Sequence, residues 1–291
     1  MVPLDELIDQ MKIKLIEETE DTLEFDLIGV DVSVANALRR IMLSNVPTMA
    51  IETCEMYQNT GVIQDEILCH RLCLIPFSVD PDLFNFRNSD CGLNSNNSLQ
   101  FSLNVVCPQE IKCMPIYSRH LQWIPRNNEE KHKFKNINVR PVSEDILITK
   151  IGPGQEINMF MYLEKGIGAT HAKWSPVCVA YYKLKSILRL KINPETNMFY
   201  SLSEDELKLL PEPVEFDEKS GEANHFHNEL TPRLAVEHFS HKVEHLKVKD
   251  HFKFIVESTM AIPPRRVLSL ALKIFLNKFT NIKKELQKFK G

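Results

Sequence analysis

The sequence has no CxxC pair, although seven cysteines are scattered through its 291 residues. Structural zinc asks for four ligands, usually in two close pairs, so this spacing argues against a zinc knuckle. An odd number of irregularly placed thiols fits a reducing compartment better than a disulfide framework. No run approaches 18 uninterrupted apolar residues, so no membrane-spanning helix is expected. The opening residues, MVPLDELIDQ, lack the basic start and apolar run of a signal peptide, so an intracellular location is expected. Basic residues are not in excess: 35 Lys+Arg stand against 39 Asp+Glu, for a net charge of −4. A free-standing nucleic-acid binder would usually be basic; a subunit whose partners touch nucleic acid is not excluded. HExxH, GxGxxG, a GK[ST] ending and the GxSxG elbow are all missing, and with them the usual signatures of zinc proteases, phosphate loops and serine hydrolases.

What is present suits a globular chain of one large domain or two ordinary ones, at 43% hydrophobic and 25% charged residues. Residues 11–15 and 23–27 alternate apolar and charged, the period of strands with one buried face. Ser33 is placed to cap a helix running to about Ser44, and Pro47 stops it. Within NTGVIQDEILCHRLCLIPF (59–77), Ile63, Ile67, Leu68, Leu72 and Ile75 recur at helical spacing. That spacing predicts a short amphipathic helix, capped by Asn59 or Thr60 and ended by Pro76. Strands are expected at 49–57, 100–106, 116–123, 145–151, 155–163, 177–183 and 251–258, with polar or charged loops at 86–98 and 127–136. Residues 192–232 turn acidic and proline-bearing and read as a surface excursion. After Pro263 and Pro264, Leu268, Leu272, Phe275, Phe279, Ile282, Leu286 and Phe289 step by four and three, a heptad seam. Such a helix either completes its own core or packs on another subunit.

The chemistry-bearing residues each have a plain structural reading. Cys69 and Cys73 share a helical face with His70 beside them, but no second close pair completes a site, so small thiols packed under a helix are expected. His238, His241 and His245 fall at helical spacing and read as a solvated polar face. GIGATHAK (166–173) lacks both phosphate-loop endings and reads as a turn that lets backbone approach a neighbour closely. His171 and Ser175 suggest a base and a nucleophile, without a third member. No catalytic residue, metal or cofactor is expected. Dense charged-plus-apolar motifs of this kind suit protein recognition.

Taken in order, LEFDLIGVDVSVANALRRIMLSNVPTMAIE (23–52), NTGVIQDEILCHRLCLIPFSVDPD (59–82), PGQEI (153–157), GIGATHAKWSPV (166–177) and HFKFIVES (251–258) resemble the alpha-like subunits of cellular RNA polymerases. The chain most resembles the larger alpha-like subunit shared by eukaryotic polymerases I and III, over roughly residues 11–285. The resemblance implies an α+β fold: a discontinuous dimerisation domain of sheet and long helices (1–48 and 166–291) around an inserted, mostly β domain (49–165). It implies a non-catalytic assembly subunit in the nucleus, including the nucleolus. That subunit would pair with a smaller alpha-like subunit and carry the two large catalytic subunits. Small zinc-bearing subunits would attach nearby, nucleic acid would be met only through the complex, and no membrane is involved.

By the same resemblance, subunit contacts fall on Asn36, Leu38, Arg39 and Arg40 of the first helix and on Gln64, Asp65, Glu66, His70 and Arg71 of the second motif. They fall also on Gly166, Gly168, His171, Lys173 and Trp174, and the seam adds Leu268, Leu272, Phe275, Phe279 and Ile282. Cys69 and Cys73 stand where the family usually has alanine and glycine, and Gly61 replaces a serine. Trp174 stands where the polymerase I and III subunit more often has phenylalanine and the polymerase II counterpart tryptophan. The cysteine-rich zinc loop typical of that counterpart is missing, as are the ferredoxin-like cysteines of some archaeal forms. The equivalent subunit of polymerase II or of an archaeal-type polymerase is the alternative.

Overall fold

The computed structural model describes residues 11–88, 92–134, 139–217, 219–224, 226, 228 and 230–288. MVPLDELIDQ, Cys91, His225, His227 and Phe289 lie outside the described residues. Strands β1 (Lys12–Glu18) and β2 (Thr22–Ile28) lead into helix α1 (Val32–Ser44), strand β3 (Pro47–Asn59) and helix α2 (Asp65–Cys73). Then come β4 (Ser98–Val106), β5 (Met114–Tyr117), β6 (Gln122–Trp123), α3 (Asn128–Lys133), β7 (Leu147–Ile151) and β8 (Glu156–Ile167). The chain continues through β9 (Val177–Leu190), α4 (Glu204–Leu207), β10 (Glu222–Ala223), α5 (Thr231–Phe239), β11 (Val243–Ser258) and α6 (Pro264–Lys288). The fold is α+β.

Strand order is β1-β2-β11-β9-β10 in one sheet and β3-β8-β4-β6 in another, with β5 and β7 forming a separate pair. The chain divides into two compact units. One holds the chain up to Ile16, Glu24–Ala35 and Tyr182–Phe254; the other holds Glu17–Leu23, Asn36–Tyr181 and Ile255–Gly291.

In the second unit, β8 is the central strand. It pairs antiparallel with β3 from Pro47↔Ile167 to Asn59↔Ile157, and with β4 from Ser98↔Glu164 to Val106↔Glu156. Two bulges, between Ile51 and Thr53 and between Met56 and Gln58, add twist to β3. Alternating residues of these strands, among them Leu99, Phe101, Leu103, Met159 and Met161, bury into one core with Leu68 and Leu72 of α2. Phe77 meets Phe101 edge-on at 5.0 Å, and Phe84 stacks on Phe134 at 5.5 Å. In the first unit Phe25 stacks on Phe254 at 4.9 Å.

Several sequence expectations change in the fold. The first helix is capped by Asp31 rather than Ser33: the Asp31 carboxylate accepts from the Ser33 backbone N–H (2.8 Å) and hydroxyl. Those bonds hold the Asp31 carboxyl below the usual carboxylate range. Neither Asn59 nor Thr60 caps α2. Asn59 ends β3 and donates to Asp65 Oδ1 (2.7 Å), while Gln64 stands at the N-cap with no side-chain bond. β1 is exposed along its whole length rather than on one face, as an edge strand that none of the described residues covers on either side.

The strand expected at 116–123 is broken by a 3-10 turn at Ser118–His120, where the buried Ser118 hydroxyl donates to Ser143 O (2.6 Å). The charged segment from 127 forms α3, whose cap Asn127 accepts from Glu130 N (2.8 Å) while Glu130 accepts from Arg126 N. The acidic excursion is anchored, not free. Leu210 and Val214 bury beside Leu188, Ala235 and Phe239, and Lys242 grips the Glu206 carboxylate at 2.7 Å. His238, His241 and His245 share no helical face, since α5 ends at Phe239 and His245 lies in β11.

Because Phe101 is sealed in the core and Ile67 faces outward, the two should respond differently to truncation. Phe101→Ala is expected to cost about 3–5 kcal/mol in urea unfolding, and Ile67→Ala no more than about 0.5 kcal/mol. Equal shifts of the two midpoints would contradict this core.

Candidate protein-interface site

The GIGATHAKW segment is where several elements of the second unit meet. Gly166 lies on β8 under the Trp174 ring; a Cβ built there would sit 2.2 Å from that ring. Gly168 lies against the end of α1, where a Cβ would sit 2.3 Å from Leu43 O. The next residue, Ala169, donates its N–H to Ser44 O at 2.8 Å. Glycine is demanded here by space rather than by backbone dihedral. This is the close backbone approach that the sequence suggested.

Trp174 is buried and fully bonded. Its Nε1 donates to Glu164 O (3.1 Å), and Thr48 donates to its carbonyl (2.8 Å). Lys173 reaches back to β3, donating to Ile51 O (2.8 Å) and pairing with the Glu52 carboxylate, with its ammonium 4.5 Å over the Trp174 ring. His171 Nδ1 accepts from Lys173 N (3.1 Å), capping a short 3-10 turn. Ser175 Oγ donates to Val177 O (2.9 Å). Both side chains therefore serve the local backbone. A cavity of about 330 Å³ opens beside Trp174, lined by Glu52, Phe86, Arg87, Glu164, Lys165 and Thr170 among others. In it the buried Glu164 accepts from Arg87 and from Thr53, each at 2.9 Å. Burial lowers the Lys165 pKa, and its ammonium donates to Phe84 O and lies 5.0 Å from the Phe86 ring.

The other expected contact residues fall into two groups. Leu38 is buried within the chain itself, and Arg71 donates to Ile148 O (2.7 Å) and Leu147 O (2.9 Å), tying α2 to β7. Gln64, Asp65, Glu66 and His70 are exposed on α2, and Arg40 is exposed on α1. Arg39 is half-buried and forks onto Asn36 Oδ1 at 3.1 and 3.0 Å.

Helix α6 has two apolar faces. Pro264, Val267 and Ala271 are buried against the chain. Leu268 and Phe275 are half-buried, and Leu272 (39%), Phe279 (56%), Ile282 (54%) and Leu286 (58%) are exposed. Leu276, missed by the seam count, is 66% exposed and stands four after Leu272 and three before Phe279. Lys278 donates to Asn45 Oδ1 just past α1 (3.0 Å). Arg266, which the sequence reading passed over, clamps Asp80 (2.7 Å) and Asp82 (2.9 Å) at the end of the SVDPD stretch.

Among the described residues no group of three or more His, Cys, Asp or Glu is arranged to hold a metal. Cys54, Cys69 and Cys73 pack against the same core and carry no disulfide. No described helix is long and apolar enough to cross a membrane.

The profile of the RNA polymerase Rpb3/Rpb11 dimerisation domain matches residues 24–279. The DNA-directed RNA polymerases I and III subunit RPAC1 of Bos taurus is 39% identical over 306 residues, covering 97% of this chain and 86% of the bovine one. The protein of the same description from Mus musculus is 38% identical, covering 94% of this chain and 84% of its own. The DNA-directed RNA polymerase II subunit rpb3 of Dictyostelium discoideum is 31% identical, covering 97% of each.

The glycine contacts give a direct test. Gly166→Ala and Gly168→Ala should each destabilise the chain by about 1–3 kcal/mol in chemical denaturation, since the added methyl overpacks a filled space. Gly166→Ala combined with Trp174→Ala should cost less than the sum of the two, because removing the ring removes the clash. Strict additivity would mean that Gly166 is not the seat of Trp174.

Proposed function

The chain belongs to the family of RNA polymerase Rpb3/Rpb11 dimerisation domains, and from that membership we propose that it is a non-catalytic assembly subunit of DNA-directed RNA polymerases I and III. It pairs with a smaller alpha-like subunit, and the pair forms the platform for the two large catalytic subunits, with small zinc-bearing subunits beside it. Nucleic acid is met only through the complex, in the nucleus including the nucleolus. The higher identity to polymerase I and III subunits, 38–39% against 31% for a polymerase II subunit, supports this assignment. The equivalent subunit of polymerase II or of an archaeal-type polymerase is the second reading, favoured by Trp174.

The observation that carries the proposal is the unpartnered face of α6. Five large apolar side chains, Leu272, Leu276, Phe279, Ile282 and Leu286, are exposed along one helix. An apolar stripe this long left to water is unfavourable, and covering it with a partner helix recovers about 25 cal/mol for each Å² buried. The dimerisation domain is then discontinuous, 1–48 plus 166–291. The insert at 49–165 is supported by a buried core whose members run from Met49 to Leu163. Arg39 and Arg40 on α1 and the exposed Gln64, Asp65, Glu66 and His70 on α2 supply polar contacts, since a guanidinium forks onto carboxylates or carbonyls of a partner.

Affinity purification of the tagged chain from its native cells, read by mass spectrometry, tests the assignment. Large subunits of both polymerases I and III with one small alpha-like partner are expected. Polymerase II subunits alone would leave the family and overturn the subclass. Leu272→Asp or Phe279→Asp should weaken pairing by on the order of 100-fold or more, because a carboxylate in a covered seam costs about 3 kcal/mol or more. Pairing at unchanged affinity would remove α6 from the interface. Arg39→Glu with Arg40→Glu should block incorporation into a polymerase-sized complex while the helical circular dichroism stays the same.

A further inference from the structure

The charge on α6 is as lopsided as its exposure. Pro264–Lys288 holds seven lysines and arginines against one glutamate, in a chain whose net charge is −4. The chain itself answers part of this excess. Arg265 lies 3.5 Å from Glu18, and Arg266 is held by Asp80 and Asp82. Lys288, in the last turn where the helix dipole favours a cation, pairs with Glu285 at 2.7 Å. The exposed Lys273, Lys278, Lys283 and Lys284 have no ion pair among the described residues. The one bond of Lys278, to Asn45 Oδ1, is to a neutral amide and leaves its charge unmatched.

Two of these four lysines stand beside the apolar seam. The steps of four and three from Leu268 to Leu286 are those of a two-helix seam, whose flanks are the residues just outside each seam pair. Lys278 precedes Phe279 and Lys283 follows Ile282, so one lysine lines each side of the same stretch. Flanking residues of two paired helices face each other, and their signs decide which partner is accepted. A second copy of α6 running parallel would set Lys278 against the copy's Lys283, and like charges so placed repel. Running antiparallel, it would still bring a second excess of lysines to the first. The seam is also narrow. Asn277, Thr280 and Asn281 share the rest of the exposed surface with the lysines, whereas a helix lying in a lipid surface presents a broad apolar face.

We infer that the lysine-flanked seam of α6 selects an acidic helix, one whose own apolar seam is flanked by aspartate or glutamate, and turns away a second copy of this chain. The inference rests on the proposed pairing through α6 and adds the chemistry of the partner. Lys278 and Lys283 are then the residues that set specificity, while Leu272, Phe279 and Ile282 supply the apolar area. Opposite charge also steers the encounter, so salt and charge reversal act mainly on the rate of association.

The test uses the full-length chain and the small subunit that copurifies with it. Lys278→Glu with Lys283→Glu should weaken pairing about tenfold, mostly through slower association. Lys273→Glu with Lys284→Glu changes the charge equally but away from the seam, and should weaken pairing no more than about twofold. Unchanged helical circular dichroism in both variants separates the effect from unfolding. Wild-type pairing should weaken several-fold from about 0.05 to about 0.5 M NaCl. A carbodiimide, which joins an ammonium to a carboxylate in contact with it, should link Lys278 or Lys283 to an aspartate or glutamate of the small subunit. Sedimentation of the chain alone should give a monomer. The inference falls if the two double variants weaken pairing equally, if pairing is indifferent to salt, or if no such link forms. It falls also if the chain alone dimerises through α6, or if α6 holds the chain to phosphatidylserine–phosphatidylcholine vesicles that the small subunit cannot displace. Pairing lost in Leu272→Asp but unchanged in both lysine variants would leave the α6 interface standing and remove only its charge rule. Pairing unchanged in Leu272→Asp as well would remove the interface itself.

Discussion

Two missing methyl groups hold the second unit together. Gly166 gives Trp174 a seat on β8, and Gly168 lets the turn after β8 close on the carbonyl of Leu43 at the end of α1. From these approaches the other contacts follow. Trp174, once seated, can bond Glu164 O and accept from Thr48; Lys173 then falls over the ring and back onto β3 at Ile51 and Glu52. Glycine costs up to about 1 kcal/mol of backbone entropy in a strand or helix, so two in three residues need a compensating gain. Here the gain is a buried indole with every polar atom satisfied, where β3, β8 and the end of α1 meet.

That junction explains why charged residues in the motif are half-hidden. Lys173 would lose solvation if it only lay over an indole, but it keeps a carboxylate and a carbonyl. Glu164, buried on β8, is matched by Arg87 and Thr53. Removing Glu52 or Arg87 would leave the buried Lys173 or Glu164 charge less well matched, which costs more than the pair itself contributes. Arg266 pairs with Asp80 and Asp82 at the start of α6, in a more exposed setting where such a pair is worth less.

What the sequence made legible was periodicity and order. The spacing of the α1, α2 and α6 apolar residues located three helices, and alternation located β2, β4, β8 and the end of β11. It was silent on what lies across each face. β1 alternates as cleanly as β2, yet β1 is exposed throughout while Leu23, Phe25 and Leu27 of β2 are buried, because neighbours decide burial and β1, at the sheet edge, has a strand on one side alone. Capping was misread for a related reason. Ser33 and Asp31 are both good caps, and only the observed carboxylate bond to Ser33 N separates them. The internal bonds of Arg71 were not legible, because their acceptors, the carbonyls of Leu147 and Ile148, lie 76 and 77 residues away. The three histidines looked helical because a period of three or four says nothing about a chain that turns at Phe239 and becomes a strand.

Helix α6 shows how far such a reading can go. A heptad seam fixes which residues share a face, and leaves open whether that face meets the chain's own core or another's. Buried and exposed apolar residues occupy different stripes of the same helix. Pro264, Val267 and Ala271 step by three and four into the core, and they are small enough to let the backbone approach. One residue further round, Leu268, Leu272, Phe275, Phe279 and Ile282 step by four and three with larger side chains, and exposure grows toward the end of the helix. Full burial ends at Ala271 and half-burial at Phe275, while the exposed apolar residues run on to Leu286. Leucine, phenylalanine and isoleucine kept at core spacing on a face that the described residues leave mostly open are the feature on which the proposed pairing rests.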